Sequence, residues 1–403
     1  MQHGSANDGP ATAARTPDSR KRSPTRLNRG MAPRRIPPYA VRKFLDDVRV
    51  GNHTRATARA DDLAVWCSGH SLTRPHTPAV VLAHGELVLR TEDLQRAASY
   101  LDQGLAMLAE TGPHEIIGSG DHHRVLLVST LLQLGRYHEA AGHLTTMDDP
   151  SGPLDTRLAA LRGQAQLAAV AGNPELAHQF LNTAATVAQR VRGLQAPAMV
   201  DADRACLLAT QGRLFEAMAM ADHLFAKTLR GGHGDRARWA SASTAAVAFT
   251  LSRHAVDQGR GYDAERFLVA GIGAVEQAPS AYGVAHMDLA MARAWRHRGD
   301  FTNAEPALRK AAVAFSRLGC RPAAALVSLE DACLNEARGT ASATLNLFER
   351  ALREFQELGH AWEVTALQRH LGLYDELAQA SAAVDAGPSP IDMRASRLAR
   401  MLG

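Results

Sequence analysis

The chain of 403 residues is poor in aromatic side chains, at 5%, and holds only four cysteines. Cys67, Cys206, Cys320 and Cys333 form no CxxC pair and follow no regular spacing, which excludes both a disulfide framework and a cysteine zinc site. Reduced thiols in a cytoplasmic protein are the simple reading. Long apolar runs are missing too. No stretch approaches the roughly 18 to 20 residues of a membrane span, and the arginine-rich amino terminus is not followed by an apolar signal segment. There is no GxxxxGK(S/T) phosphate loop and no stretch that reads as a DNA-recognition module. Lysine is scarce beside arginine and isoleucine beside leucine and alanine, a usage expected of a GC-rich bacterial genome that carries no chemistry.

What is present is small and apolar. Hydrophobic residues make up 46% of the chain, mostly Ala, Leu and Val, a composition that suits closely packed helices. The formal charge of +4 is unevenly spread: residues 1–38 hold Arg15, Arg20, Lys21, Arg22, Arg26, Arg29, Arg34 and Arg35 against Asp8 and Asp18, so this segment is +6 and the remainder is −2. The basic character belongs to a tail, which weakens any argument for a folded nucleic-acid surface and leaves only a weak tail contact with nucleic acid. Residues 1–38 offer almost nothing to bury and read as a disordered basic tail, dispensable for folding as far as Met31. Residues 383–403 read as a second tail, in which Met393, Leu398, Met401 and Leu402 among arginines predict a short amphipathic helix after the Pro388-Ser389-Pro390 break.

Between the tails, over 39–382, the sequence repeats. Glycines that end an apolar helical pattern stand at Gly135, Gly172, Gly212, Gly259, Gly299 and Gly339, spaced by 37, 40, 47, 40 and 40 residues. Glycine tolerates the left-handed conformation needed where one helix stops and the next starts. Seven residues earlier come Val128, Ala165, Ala205, Ser252, Ala292 and Ala332; five later come Ala140, Ala177, Ala217, Ala264, Ala304 and Thr344; nine later Leu144, Leu181, Ala221, Leu268, Leu308 and Phe348. Small residues at the first two offsets let antiparallel helices approach closely, and the larger residue fills the gap between pairs. Prolines at Pro113, Pro153, Pro197, Pro279 and Pro322 punctuate the loops between pairs, with Gly231-Gly232 replacing one of them. Atypical pairs are expected at both ends: 39–50 with 54–67, 80–89 with 94–109, and a shortened closing pair of 362–370 and 374–382.

The segments AVAGNPELAHQFLNTAATVAQ around Gly172 and WRHRGDFTNAEPALRKAAVAF around Gly299 resemble the turn and second helix of tetratricopeptide repeats (TPR). The likeness spans roughly residues 39 to 382, with units of about 40 residues where the family has 34 and with few of its aromatics. LRKAAVAFSRLG and FERALREFQELG are similar, more narrowly, to the helical sensor regions of bacterial MalT-like and antibiotic-pathway regulators. The resemblance implies an all-α fold, a right-handed superhelical solenoid of antiparallel helix pairs, whose concave face is built from the first helix of each pair. It implies no cofactor, and of the regulators only the sensor part, since the nucleotide-binding and DNA-reading domains have no counterpart here.

Motifs that could carry chemistry are few. His138 and His143 in HEAAGH are five apart where a zinc-protease helix needs four, which turns the second imidazole off the metal face. His122 and His123 are adjacent and diverge on a helix, so they read as a polar helix start capped by Asp121. Asp201 and Asp203 face different ways, and Cys67 and His70 are separated by the helix-ending Gly69. No metal site and no catalytic residue is assigned.

Counting from the turn glycines, the groove-facing places hold His122, Ser129, Arg162, Gln166, Asp203, Cys206, Arg253, His286, Arg293 and Arg296. Arginine predominates, which favours an acidic peptide, a carboxylate terminus or a phosphate-bearing ligand, although an ordinary solvated helix face has the same composition. The expected function is that of a non-enzymatic regulatory or adaptor protein holding a protein or peptide partner in the groove. The alternative is a small-molecule-binding accessory protein or an enzyme with a pocket inside the superhelix. Polar residues converging in a closed cavity would favour the alternative; an open groove would count against it. The oligomeric state and the partner's identity do not follow from the sequence.

Overall fold

A computed structural model of the chain describes residues 38–50, 53–68, 77–90, 93–115, 117–191, 195–228, 235–339 and 341–385. The expectations for the basic tail, for the carboxy-terminal amphipathic helix and for Gly231-Gly232 therefore fall outside the described residues. The described residues form helices and short turns, with no strand among them.

In chain order the helices are α1 (Pro38–Val50), α2 (His53–Ser68), α3 (Thr77–Arg90), α4 (Leu94–Thr111), α5 (Asp121–Leu134) and α6 (Tyr137–Met147). They continue with α7 (Leu154–Val170), α8 (Pro174–Ala188), α9 (Gln195–Thr210), α10 (Leu214–Thr228), α11 (Asp235–Asp257) and α12 (Gly261–Gln277). The last five are α13 (Ala281–His297), α14 (Phe301–Leu318), α15 (Arg321–Ala337), α16 (Ala341–Leu358) and α17 (Ala361–Asp385).

Every anchoring glycine of the sequence pattern has a positive φ, from 70° at Gly259 to 78° at Gly212 and Gly339. The amide after the turn reaches back to close the helix end, as in Arg136 N–H to the Leu131 carbonyl at 2.9 Å and Asn173 N–H to the Ala168 carbonyl at 2.8 Å. The next helix then starts with its own cap. Asn173 accepts from the Leu176 amide ahead of Pro174, and Asp300 accepts from the Asn303 amide. Gly319 and Gly359, which end second helices, close the same way, a use of glycine that the spacing within pairs does not reveal.

The small residues seven before and five after each turn are buried, and the pairs close on them: Ser252 on α11 even donates its hydroxyl to the Ala264 carbonyl of α12 at 2.9 Å. The chain is thus a right-handed superhelical, TPR-like solenoid. Three local expectations need correction. The closing pair is one continuous helix, α17, because Gly372 lies within it in open space and no proline or capping residue interrupts it. Asp121 is not the cap of α5: left-handed Gly120 is, and Asp121 is the first helical residue, accepting from Arg124 at 3.1 Å. His123 does not stay in a polar helix start but is buried against Glu86 of α3, 3.8 Å away.

The first helices stack in the order α5, α7, α9, α11, α13, α15, and α15 returns to touch α5. The superhelix therefore completes a turn and closes on itself. One apolar core crosses that seam, joining Leu101, Leu127, Leu131 and Leu144 to Leu289, Leu308, Phe315 and Val327. Gly135 sits beside this seam: a Cβ there would stand 2.8 Å from Leu358 Cδ2 of α16 and 3.0 Å from Pro322 Cδ of α15. Gly135→Ala is expected to cost the left-handed strain of about 1–2 kcal/mol plus a repacking penalty of about 1–3 kcal/mol. Gly212→Ala, with φ 78° and nothing within 4 Å, is expected to cost only the strain. Equal losses in urea denaturation of the two variants would show that the seam is not closed as described.

Candidate functional site: a cavity inside the ring

The residue six before each of the first five turn glycines points into the ring, whereas Cys333, at the same place before Gly339, is not among the lining residues. Ser129, Gln166, Cys206, Arg253 and Arg293 hold that place in successive repeats, and all five line one cavity of about 680 Å³. Arg162, Asp203 and His286, a turn or two earlier on their helices, line it as well. Between these polar groups the wall is smooth and apolar, from Ala202, Ala242, Ala245, Ala246, Phe249, Leu289 and Ala290. The volume lies within the range of small-molecule and peptide sites.

Two of the sequence-derived positions lie elsewhere. His122 is exposed at the start of α5 and is not among the lining residues, and Arg296 lies beside the cavity, its side chain turned to a carboxylate behind the wall. Offset from the glycine does not decide this for His122, since His286 stands the same thirteen places before Gly299 and lines the cavity; the difference is that α13 begins at Ala281, well before His286, whereas His122 is the second residue of α5.

Each arginine of the ring has an acidic partner from a neighbouring element. Arg162 on α7 grips Asp203 on α9 with two nitrogens, at 2.5 and 3.1 Å. Arg293 and Arg296 on α13 share Glu330 on α15, at 2.9 and 2.5 Å. Arg253 on α11 reaches Glu363 at the start of α17, at 3.5 Å. Burial works against the Arg296 charge, but the charge of Glu330 and its hydrogen bond outweigh it and hold the guanidinium above its ordinary range. Burial likewise works against Glu363, and is outweighed by the hydrogen bond from His360 and the charge of Arg253, which bring the carboxyl down to about 2. The cavity is therefore less positive than its arginine count suggests.

The start of α17 lies against the rim of the ring. His360 contacts the Tyr137 hydroxyl of α6 at 2.8 Å and Glu363 at 3.4 Å, while Ala361 approaches the Gly172 turn closely enough that a Cβ there would be 2.9 Å from its own. His360 and Tyr137 both line the cavity. Burial beside the Glu363 charge raises the Tyr137 hydroxyl pKa, so it stays protonated.

Two histidines of the wall are held neutral. Burial, reinforced by Arg253, lowers His254 to about 4, and burial, reinforced by Arg293, lowers His286 to about 4. His286 is wedged edge-on between Tyr282 and Phe315, with ring centroids 4.5 and 4.8 Å away. The Nε2 atoms of both histidines are buried without a hydrogen-bond partner among the described residues. Groups that could act as nucleophiles are suppressed: burial pushes the Cys206 and Cys333 thiols up to about 12. No group of three metal-ligating side chains occurs among the described residues. His143 pairs with Asp102 at 3.7 Å while His138 is exposed, and His70 lies outside the described residues.

Glu330, Glu363, His254, His360 and Tyr137 do not stand out in the sequence as site residues. Glu330 carries a usable signal, standing nine before Gly339 as Asp203 stands nine before Gly212. Glu363 and His360 carry none, because they reach the ring only through closure of the superhelix.

No protein-family model matches the chain, and no curated protein matches it in sequence. Solved structures do resemble it. A Rap conjugation gene regulator of the plasmid pLS20 in complex with the Phr* peptide is 11% identical at TM-score 0.55, covering 82% of this chain and 99% of that one. NprR in complex with its cognate peptide NprX is 12% identical at TM-score 0.51, covering 90% and 97%. A Rap protein complexed with competence and sporulation factor is 11% identical at TM-score 0.50, covering 85% and 98%. At these identities the likeness is one of fold. No described helix is long and apolar enough to cross a membrane.

Proposed function

We propose that this chain is a non-enzymatic regulatory or adaptor protein of the cytoplasm that holds a peptide, or a peptide segment of a partner protein, inside the ring of its first helices. The observation that carries this reading is the cavity of about 680 Å³ to which α5, α7, α9, α11 and α13 all contribute, apolar along most of its wall and set with fixed ion pairs. An apolar wall with a few oriented polar groups suits side chains spaced along a peptide backbone. The likeness to Rap and NprR structures solved with peptides supports it by analogy of fold. Kinship with MalT-like and antibiotic-pathway sensor regions belongs to the same proposal and rests on the segments that run along α14 and α16. The partner is not strongly acidic on this reading, because Asp203, Glu330 and Glu363 offset most of the arginine charge.

Closure of the ring favours a compact ligand, which keeps a small-molecule-binding accessory protein as the second reading. One experiment separates them. The full chain is incubated with random synthetic hexapeptides or with a metabolite extract, passed rapidly through gel filtration, and the retained compounds are identified by mass spectrometry. Peptides are expected to be retained by the native protein and lost in Ala242→Trp/Ala246→Trp. These two exposed lining positions, one turn apart on α11, can carry indoles into the cavity without entering the core. Retention of metabolites and not peptides would replace the first reading by the second; retention unchanged in the double variant would move the site out of the cavity.

A further inference from the structure

The corner of the cavity between α11, α13 and the start of α17 has an unbalanced set of charges. Arg253, Arg293 and Arg296 face two carboxylates, Glu330 and Glu363, which leaves one positive charge in excess. The side chains are secluded: 8% exposed for Arg293, 3% for Glu330, 19% for Arg253 and 14% for Glu363. An excess charge in so water-poor a place is unfavourable unless something anionic approaches it. The neighbouring imidazoles do not add to it, being neutral; the remaining carboxylate, Asp257, lies 4.0 Å from His254 Nδ1 and also supports the Arg296 charge, but it is half-exposed, so water screens it and it offsets the excess only in part.

The donors in this corner are also incompletely used. A guanidinium has five N–H groups. Arg293 spends its Nε on Glu330 and Arg253 spends one terminal nitrogen on Glu363, and their other N–H groups meet no acceptor among the described residues. The partnerless Nε2 atoms of His254 and His286 lie in the same wall, and Arg293 is the charge that both imidazoles feel.

We propose that this corner is a carboxylate subsite, in which Arg253 and Arg293 bind a single carboxylate of the ligand and the Nε2 atoms of His254 and His286 complete the hydrogen bonding around it. The proposal rests on the peptide-binding reading and deepens it. One carboxylate matches one excess charge, whereas a phosphate group would bring nearly two and leave the corner negative. In a hexapeptide the group has two sources, the chain terminus or an Asp or Glu side chain.

Three hexapeptide mixtures, each incubated with the full chain, distinguish them: free acids without Asp or Glu, amides without Asp or Glu, and amides containing both. At least one of the carboxylate-bearing mixtures is expected to be retained roughly tenfold or more over the amides without Asp or Glu, the usual worth of a hydrogen-bonded charge pair. The free acids identify a terminal carboxylate and the acidic amides a side-chain one. Arg253→Gln and His286→Phe are expected to abolish that preference while retaining the apolar peptides weakly. Equal retention of all three mixtures would overturn the carboxylate subsite and leave the peptide-binding reading standing. Retention of none would overturn both. Preferential retention of a phosphoserine-containing amide mixture would assign the corner to phosphate instead. The comparison among mixtures uses the native protein, so it stands even if a variant fails to fold.

Discussion

Glu330→Leu is expected to destabilise the protein by about 3–5 kcal/mol, measured as the loss of unfolding free energy in urea. Glu330 is 2% exposed and is the shared acceptor for Arg293 and Arg296. Removing it strands two guanidinium groups in a place where water cannot replace the lost partner, and the penalty is mainly that of the orphaned charges. Changing all three residues together, Arg293→Met, Arg296→Met and Glu330→Leu, is expected to restore most of the stability, because a well-packed apolar substitute avoids the desolvation cost of the trio. Salt should scarcely alter the loss, since buried pairs are weakly screened. If Glu330→Leu cost less than about 1 kcal/mol, as an exposed pair would, the trio could not be buried as described.

Acid is expected to unfold this protein in two overlapping stages. His254 and His286 have folded pKa values of about 4 against an ordinary 6.5, so the unfolded chain takes up more protons than the folded one between those limits. Stability from these residues is fully present above pH 6.5 and is lost as pH falls toward 4, by at most roughly 3 kcal/mol for each histidine. Glu363, brought to about 2 from 4.5, extends the decline: its contribution is present above pH 4.5 and is lost as pH falls toward 2. Thermal denaturation across pH 4 to 8 should therefore show a melting temperature falling steadily below pH 6.5. His286→Gln should flatten the upper part of that decline. A melting temperature unchanged between pH 6.5 and 5 would mean that both imidazoles are charged in the folded state.

The repeat was legible because its determinants are local. A glycine that must adopt positive φ, a small residue five places on and another seven places back are constraints within a single helix pair, and the chain states them six times, from Gly135 to Gly339. Where the local signal is weak, the structure departs from it in an equally local way. Gly372 looks like a break between two closing helices, yet α17 runs through it because glycine in a helix costs about 1 kcal/mol and nothing there caps a new start. Asp121 looks like a cap, but Gly120 takes the left-handed conformation instead and moves the helix start by one residue.

The candidate site was legible only in part. Ser129, Gln166, Arg253 and Arg293 share one offset from their glycines, so the inward direction follows from helix geometry. The character of the site did not follow. An arginine-rich face is visible in the sequence, while the acids that balance it come from α9, α15 and α17, each on a different element from the arginine it meets.

By itself the sequence determined the helix pairs, their turns and the face of each first helix that looks inward, because these depend on residues within about 20 positions of one another. Only the tertiary structure decided that α15 meets α5, that His360 and Glu363 are brought to Tyr137 and Arg253, and that the concave face becomes a partly open cavity. The physical reason is accumulation: a superhelix closes or stays open according to small rotations summed over many repeats, and no single repeat encodes that sum.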